Sequence, residues 1–344
     1  MPLSFLDFLQ QTIGNPALAV TTLLTLAVLL VNGWTDAPNA IASAVVTKTL
    51  PFSRAVLLAA LCNFLGVLCV TSAHPSVAET IYSIASFDAS PLAALTALCA
   101  AMTAVVLWAC FAWLFGIPTS ESHALVAGLS GAAVALEGSF SCIHWDAWSK
   151  VLFGLLLSSL LGFFAGRWST SILSRLSFSL SLCKRFQILG AAGTAFFHGA
   201  QDGQKFLGIF LLGAALAQGR QDIQTFRIPL WLLLLCASFM AFGTRLGGRR
   251  IIEHVGTDMV EIGPTEGLAA DFGGIFCLSL ATVLGIPVST THTRTAALLG
   301  AGSKSRKPVN WMVAQQILFT WLLTFPGCMV IGFATARLYF HFYL

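Results

Sequence analysis

The sequence predicts an all-α integral membrane protein with about ten hydrophobic units, arranged as two inverted repeats with broken or re-entrant helices. Hydrophobic residues make up 57% of its 344 residues and charged residues 9%, and the mean hydropathy is +0.84. This composition leaves too little polar surface to cover a soluble globule of that size. Two polar motifs that recur about half a chain apart predict the internal duplication.

The hydrophobic units are each roughly 20 residues or longer, the length that crosses about 30 Å of hydrocarbon. They lie near residues 17–46, 54–72, 91–115, 117–137, 149–167, 186–217, 228–243, 264–285, 287–303 and 309–336. The first and the sixth are too long for one plain helix and carry polar residues in their middles. We therefore expect both of these units to be broken or re-entrant.

Two motifs carry the repeat. Gly-Ile-Pro-Thr-Ser-Glu-Ser-His occupies residues 116–123, and Gly-Ile-Pro-Val-Ser-Thr-Thr-His follows at 285–292. Asn-Gly-Trp-Thr-Asp occupies residues 32–36, and His-Gly-Ala-Gln-Asp occupies 198–202. Motifs of Gly, Pro, Ser, Thr and Asp within apolar sequence are typical of a secondary transporter whose site lies at the membrane midplane.

Basic residues in the connecting loops predict the topology. If the N-terminus is outside and every unit crosses once, twelve loop Lys and Arg residues fall inside and four outside. We therefore expect a multi-pass protein of the cell membrane with both termini outside. Five crossings per half are an odd number, so residues 1–167 and 186–344 form inverted half-domains, with 168–185 as a cytoplasmic linker. The first eleven residues contain no Lys or Arg, so a cleaved signal peptide is not expected.

Charge and cysteine usage exclude several classes. The net charge of +4 is spread over short loops rather than gathered in a patch, so nucleic acid is not an expected partner. Most of the nine cysteines lie inside hydrophobic units without a C-x-x-C pair, which is typical of small apolar filler residues. No cofactor is expected, and membrane lipid is expected to surround the protein.

Two carboxylates occupy equivalent positions in the first and sixth units. A carboxylate at mid-membrane costs about 2.5–3.5 kcal/mol and normally faces a polar cavity with a partner. Oxygen ligands with a carboxylate suit Na⁺ or H⁺ better than a transition metal. The candidate coupling-ion residues are Asn32, Thr35, Asp36, Glu121, Gln201 and Asp202. The alternative for Asp36 and Asp202 is that each caps the N-terminus of a half-helix.

The position three residues after each Asp breaks the symmetry, because Asn39 in the first half corresponds to Lys205 in the second. Lys205 is a candidate substrate ligand, and its alternative is an ion pair with Asp202. The Pro-x-Ser-x-x-His motifs place hydroxyls at helix starts, where free N–H groups favour anions. The full set of candidate substrate ligands is Asn39, Thr119, Ser120, Ser122, Gln204, Lys205, Ser289, Thr290 and Thr291.

Other interpretations of these helix starts stay open. Ser120 and Ser289 are also good N-caps, with His123 and His292 as packed histidines. Glu121 and Arg294 have no charged residue at the matching position of the other half. Glu121 could stabilise a helix start or take part in proton transfer, and Arg294 could balance a carboxylate or extend to the membrane surface.

Together these motifs resemble the inorganic phosphate transporter (PiT) family, which carries a twice-repeated Gly-Ala-Asn-Asp-x-x-Asn type motif and a Pro-x-Ser-x-x-His motif. The segments that match are 32–40, 118–123, 198–205 and 287–292. The resemblance implies inverted repeats that bind phosphate with a coupling cation near the membrane centre. It implies that Asp36, Asp202, Asn32 and Asn39 serve the cation and anion sites, while Ser120, Ser122, Ser289, Thr290 and Thr291 line the anion site. Thr35 and Gln201 replace the usual Asn, and Glu121 replaces a Thr-like position.

The leading hypothesis is a secondary active carrier that moves inorganic phosphate by alternating access, coupled to H⁺ in preference to Na⁺. In the sodium alternative, Na⁺ binds at Asn32, Asp36 and Asp202. A sulfate permease or a divalent-metal (metal–phosphate) permease is the second hypothesis, the latter using Asp36, Asp202, His123, His198 and His292. An intramembrane hydrolase with Ser120 or Ser289 as nucleophile is disfavoured, because catalysis needs unequal roles and these residues recur symmetrically. No catalytic residue is predicted, and a channel or a homo-oligomer stays open.

Overall fold

The computed structural model describes residues 4–115, 119–176, 178–219, 228–246, 252, 259–305 and 308–343. Within these ranges the chain is helical and no strand is present. The main helices are α1 (Phe5–Gly14), α2 (Pro16–Thr35), α3 (Ala42–Val46), α4 (Phe52–Ala73), α5 (Ser76–Tyr82), α6 (Pro91–Leu114), α7 (Glu121–Glu137), α8 (Trp145–Leu176), α9 (Leu180–Ala217), α10 (Leu230–Leu246), α11 (Pro264–Val283), α12 (Thr290–Lys304) and α13 (Trp311–Tyr343). A 3₁₀ turn over Ala37–Ala40 joins α2 to α3.

Six helical segments of the described chain are long and apolar enough to cross a membrane. They are Pro16–Ala40, Phe52–Ala73, Pro91–Leu114, Trp145–Leu176, Pro264–Val283 and Trp311–Tyr343. The all-α membrane class is confirmed, and the ten predicted hydrophobic units are compatible with the helices that the structure contains. The places where these helices break and pack together decide which polar side chains can form a site.

The first hydrophobic unit is broken, as predicted. Helix α2 ends at Thr35, Asp36 follows as its C-cap, and the chain continues through the 3₁₀ turn before α3 begins. Pro38 lies inside this turn, where its ring and missing N–H prevent a regular helix from continuing. The break places Asp36 and Asn39 on irregular backbone in the middle of the unit.

The sixth unit is continuous, so the prediction of a break there is wrong. Helix α9 runs without interruption over 38 residues, and the polar motif lies in its middle. This copy of the motif has no proline. His198 and Lys205 also lie four residues before and three residues after Asp202, spacings at which side chains pair along an intact helix.

The predicted linker at 168–185 is mostly helical. Helix α8 continues to Leu176 and α9 begins at Leu180, while Ser177 lies outside the described residues. The hydroxyls of Ser171 and Ser174 donate to backbone carbonyls of the preceding turn at 3.1 Å, so these polar residues fit inside a helix. Both helices thus extend into this segment, and its assignment as a cytoplasmic linker stays a prediction.

Reciprocal packing relates the part of the chain up to α8, the first half, to the part from α9 onward, the second half. Helix α2 packs on α10 as α9 packs on α4, and α7 packs on α6 and α13 as α12 packs on α11 and α8. Glycines allow the backbones to approach at equivalent places. The close approaches pair Gly33 with Met240, Gly199 with Asn63, Gly66 with Phe196, Gly243 with Leu30, Gly131 with Met329, and Gly300 with Phe163. The sequence repeat is therefore also a repeat of contacts.

Candidate functional site

The first turns of α7 and α12 meet between the halves. Each helix begins at a serine N-cap: Ser120 Oγ accepts from the N–H of His123 at 3.4 Å, and Ser289 Oγ accepts from that of His292 at 3.2 Å. The rings of these histidines are buried and their centroids lie 4.7 Å apart. Equivalent residues of the two repeats thus touch. Residues 116–118 of the first motif lie outside the described residues.

The carboxylates of Asp36 and Asp202 lie together beneath the start of α12. The hydroxyl of Thr290 is 3.3 Å from Asp36 Oδ2 and 3.2 Å from Asp202 Oδ2. Thr291 donates to Asp36 Oδ1. Both aspartates are at most 2% exposed. The capping alternative does not hold, because Asp36 makes no side-chain cap bond and Asp202 lies inside a helix.

Lys205 joins this pair from α9. Its Nζ lies 2.6 Å from Asp202 Oδ1, 2.6 Å from Ser122 Oγ and 2.7 Å from the backbone oxygen of Val288. The ammonium therefore has three acceptors and is fully buried. The ion pair expected as the alternative for Lys205 is present, and the same group also contacts the first turn of α7.

Amide and hydroxyl groups of the first half complete the cluster. Asn32 Nδ2 donates to Asp202 at 3.2 Å, and Asn39 Nδ2 donates to Asp36 at 3.2 Å. Thr35 contacts the carboxyl of Glu121. The buried oxygens Asn32 Oδ1, Asn39 Oδ1 and Glu121 Oε2 have no hydrogen-bond partner among the residues that the structure describes. We call the whole set the central cluster: Asn32, Thr35, Asp36, Asn39, Glu121, Ser122, Asp202, Lys205, Thr290 and Thr291.

Histidines separate into two groups. His198 Nε2 lies 3.2 Å from Asp202 Oδ2, and the ligand atoms of Asp36, His198 and Asp202 lie within 4.8 Å of one another. His292 instead stacks on Trp321 with centroids 3.6 Å apart, and His123 packs near Phe325. The packed-histidine interpretation holds for these two. The metal alternative keeps three of its five proposed ligands in one place.

Several predicted site residues point away from the central cluster. Gln201 Nε2 donates to Thr282 Oγ1 at 3.0 Å, and Gln204 Oε1 accepts from the N–H of Val77 at 3.1 Å. Thr119 accepts from Trp108 Nε1 at 2.9 Å. The hydroxyls of Ser120 and Ser289 serve as helix caps. In this structure the polar side chains of Gln201, Gln204 and Thr119 connect helices.

Two polar contacts were missed in the sequence. Asn63 on α4 lies with its Oδ1 3.1 Å from His198 Nδ1, so it orients the imidazole toward Asp202. Asp271 on α11 pairs with Arg294 at 2.6 Å, which answers the open question about Arg294. A lone Asn and a lone Asp inside apolar helices were the available signals, since such residues need buried partners.

A family model gives the decisive comparison. The model of the Phosphate transporter family matches residues 32–181 and 178–332, which together include all four motif segments of the central cluster. The chain belongs to the phosphate transporter family. The resemblance seen in the motifs is thereby confirmed. Because this family consists of transporters, the hydrolase alternative is excluded.

Relatives within the phosphate transporter family cover nearly the whole chain. A "Probable low-affinity inorganic phosphate transporter" of Bacillus subtilis (strain 168) is 35% identical over 309 residues, covering 88% of this chain and 91% of its own length. One from Rhizobium meliloti (strain 1021) is 35% identical over 333 residues, covering 94% and 97%. The solved structure of "The sodium-dependent phosphate transporter" has a TM-score of 0.83 at 21% identity, covering 96% of this chain and 100% of its own. That last likeness shows a shared fold.

Proposed function

We propose that the protein is a secondary active transporter that carries inorganic phosphate across the cell membrane together with a cation, by alternating access. The observation that carries this proposal is the central cluster, in which an ammonium, hydroxyls and carboxylates from α2, α7, α9 and α12 are buried between the two halves. A site between inverted halves can be opened to either side by rocking one half against the other. The names of the bacterial relatives agree with phosphate as substrate.

The donors of the central cluster suit an oxyanion. Lys205, Ser122 and Thr290 present an ammonium and two hydroxyls beside the first turns of α7 and α12. Both helices direct the positive ends of their dipoles to the same region. Phosphate would displace the present contacts of these donors and accept from them.

The carboxylates give a reason for phosphate over sulfate. Hydrogen phosphate has an O–H group that can donate a hydrogen bond to Asp36 or Asp202, whereas sulfate at neutral pH has no O–H group. Sulfate would therefore lie beside a buried carboxylate without a hydrogen bond between them. A mismatch of this kind at a buried site discriminates strongly between two substrates. Sulfate transport is the alternative that the same site disfavours.

Proton coupling is supported by the contacts of Thr35 and Lys205. Thr35 Oγ1 lies 2.7 Å from the carbonyl oxygen of Val31 and also contacts Glu121 Oε1. A hydroxyl shares its hydrogen between two acceptors only in a weaker bifurcated bond, so a protonated Glu121 that donates to Thr35 Oγ1 would suit this arrangement better. Lys205 holds a fixed positive charge where the other half has Asn39. That charge takes the place that a second travelling cation would need.

Uptake into proteoliposomes tests the proposal. Purified protein should accumulate labelled phosphate when an inward proton gradient is imposed in sodium-free buffer, and excess sulfate should compete weakly. The matched control imposes a Na⁺ gradient at equal pH on both sides. Uptake that requires Na⁺ and ignores the pH gradient would reject proton coupling, with Na⁺ then bound through Asn32, Asp36 and Asp202. Equal competition by sulfate would reject the proposed selectivity.

A metal–phosphate permease is a second candidate, favoured by the grouping of Asp36, His198 and Asp202. Imidazole and carboxylate ligands are a combination that divalent first-row metals accept. In the same liposomes, labelled Zn²⁺ should then enter with phosphate at a fixed ratio. Phosphate uptake unaffected by a strong chelator on both sides would remove this candidate.

A further inference from the structure

An apolar cavity of about 280 Å³ lies where the two halves join, at the end of α8 and the start of α9. Four of its lining residues, Ser169, Ile172, Leu173 and Leu176, follow the i, i+3, i+4, i+7 spacing of one face of α8. Three phenylalanines, Phe178, Phe186 and Phe272, line the rest of this open cavity. Apart from the single hydroxyl of Ser169, this lining offers nothing to a polar ligand.

The cavity is placed to take a hydrocarbon chain from the bilayer. Ile172, Leu176, Phe186 and Phe272 are all exposed large hydrophobic residues, as expected of a surface that faces lipid. Trp168, one residue before the first lining residue, is 67% exposed, and exposed tryptophans favour the level of the lipid headgroups. The opening therefore lies near the border between acyl chains and headgroups.

Two exposed arginines are close neighbours of lining residues in the sequence. Arg175 lies on α8 between the lining residues Leu173 and Leu176, and Arg185 directly precedes the lining residue Phe186. Both arginines are exposed, and neither forms an ion pair with another described residue. The chain contains no Asp or Glu between Asp146 and Asp202, so no acidic side chain of this stretch neutralises them. These two arginines can supply the positive charge that an anionic headgroup near the cavity requires.

We propose that this cavity binds one acyl chain of an anionic phospholipid, whose phosphate lies against Arg175 and Arg185. Basic pockets between membrane helices on the cytoplasmic side suit such headgroups, and the basic-residue distribution places this junction on that side. The lipid touches α8 of the first half and α9 and α11 of the second. It therefore stabilises the junction about which the halves would move.

Lipid retention measured by native mass spectrometry tests this site. The purified protein is exchanged into a mild detergent with equal amounts of phosphatidylglycerol and phosphatidylcholine that have identical acyl chains. The wild type should retain one phosphatidylglycerol in preference to phosphatidylcholine. The double variant Arg175→Gln/Arg185→Gln should lower that preference roughly tenfold, because each basic residue near an anionic headgroup contributes substantially to binding.

The control variant Arg54→Gln/Arg337→Gln removes the same charge from two other exposed arginines and should keep the preference. A third variant, Ser169→Trp, fills the cavity without changing charge and should also lose the retained lipid. Equal retention of both lipids by the wild type would overturn the proposal. An equal loss in the Arg54/Arg337 control would overturn it too, since attraction would then be due to net charge. Circular dichroism and gel filtration of each variant confirm that it is folded.

Discussion

At the scale of single residues, the replacement of Asn39 by Lys205 at the matching position sets the charge of the central cluster. Lys205 contacts Asp202, Ser122 and the backbone of Val288, so one permanent positive charge offsets one carboxylate. Asp36 has no ammonium of its own and depends on Thr290, Thr291 and Asn39. The two aspartates are equivalent in sequence and differ in their partners.

Neutralising either aspartate should abolish accumulation of phosphate. Asp36→Asn and Asp202→Asn remove charge-assisted hydrogen bonds worth about 1.5–3 kcal/mol each, so we expect uptake to fall by at least about tenfold. Asp88→Asn, which changes an exposed carboxylate, is the matched control and should transport normally. Uptake of labelled phosphate into vesicles with equal amounts of inserted protein measures the difference. Normal accumulation by Asp36→Asn would show that this carboxylate has only a structural role.

The buried pair of Lys205 and Asp202 predicts a non-additive stability effect. Lys205→Met leaves a buried carboxylate without its cation and should lower the free energy of unfolding by about 3–5 kcal/mol. Adding Asp202→Asn should recover most of this loss, because neither charge of the pair is then left buried without its partner, while transport stays lost. Thermal unfolding in detergent compares the single and double variants. A double variant less stable than Lys205→Met alone would contradict the pairing.

At the scale of helices, one proline separates the two copies of the polar motif. Pro38 ends the regular helix after Asp36, whereas α9 continues past Asp202 without a break. The same side chain thus projects from irregular backbone in one half and from a helix in the other. The packing around both copies is nevertheless alike, because Gly33 and Gly199 let a neighbouring helix approach each in the same way.

Substitution of these glycines should be costly in both halves. A methyl group at Gly33 would overlap the backbone of Met240, and one at Gly199 would overlap that of Asn63. We expect Gly33→Ala and Gly199→Ala each to lower the free energy of unfolding by about 1–3 kcal/mol. Gly14→Ala is the control, since nothing lies within 4 Å of the added carbon. Midpoints of thermal unfolding in detergent would measure this, and two unaffected variants would show that the contacts are looser than described.

At the scale of the whole molecule, the halves are interlocked. Helix α13, the last helix of the second half, packs on α7 of the first half. Helix α8, the last helix of the first half, packs on α12 of the second half. Segments that the predicted topology assigns to one side also contact each other: Ala85 pairs with Ile143 and Val260 with Val309. The central cluster draws α2 and α7 from one half and α9 and α12 from the other, so neither half can form it alone.

Cysteine labelling would test the predicted orientation. On a background lacking the nine native cysteines, Ser139→Cys should react with a membrane-impermeant maleimide added to intact cells, because its loop is expected outside. Ser305→Cys should react only after the membrane is permeabilised. Labelling of Ser305→Cys in intact cells would contradict the proposed inverted arrangement. Labelling of each variant in detergent measures its total reactivity and controls for access to the cysteine.

The sequence by itself determined the membrane class and the duplication, and it proposed every residue of the central cluster as a candidate. Backbone hydrogen bonds inside a membrane helix are satisfied locally, so hydropathy locates the long apolar helices. A buried carboxylate is costly, so Asp36 and Asp202 stand out without any contact being known.

Only the tertiary structure decided which polar groups face one another. Whether Gln201 and Gln204 point into the central cluster depends on how α9 is rotated against its neighbours, and neighbouring helices approach α9 closely at places such as Gly199. The pairing of Arg294 with Asp271 brings together two helices, and neither residue has a counterpart in the other repeat that could predict it. Contacts of this kind depend on packing between helices. The composition and the residue spacing within one helix therefore do not predict them.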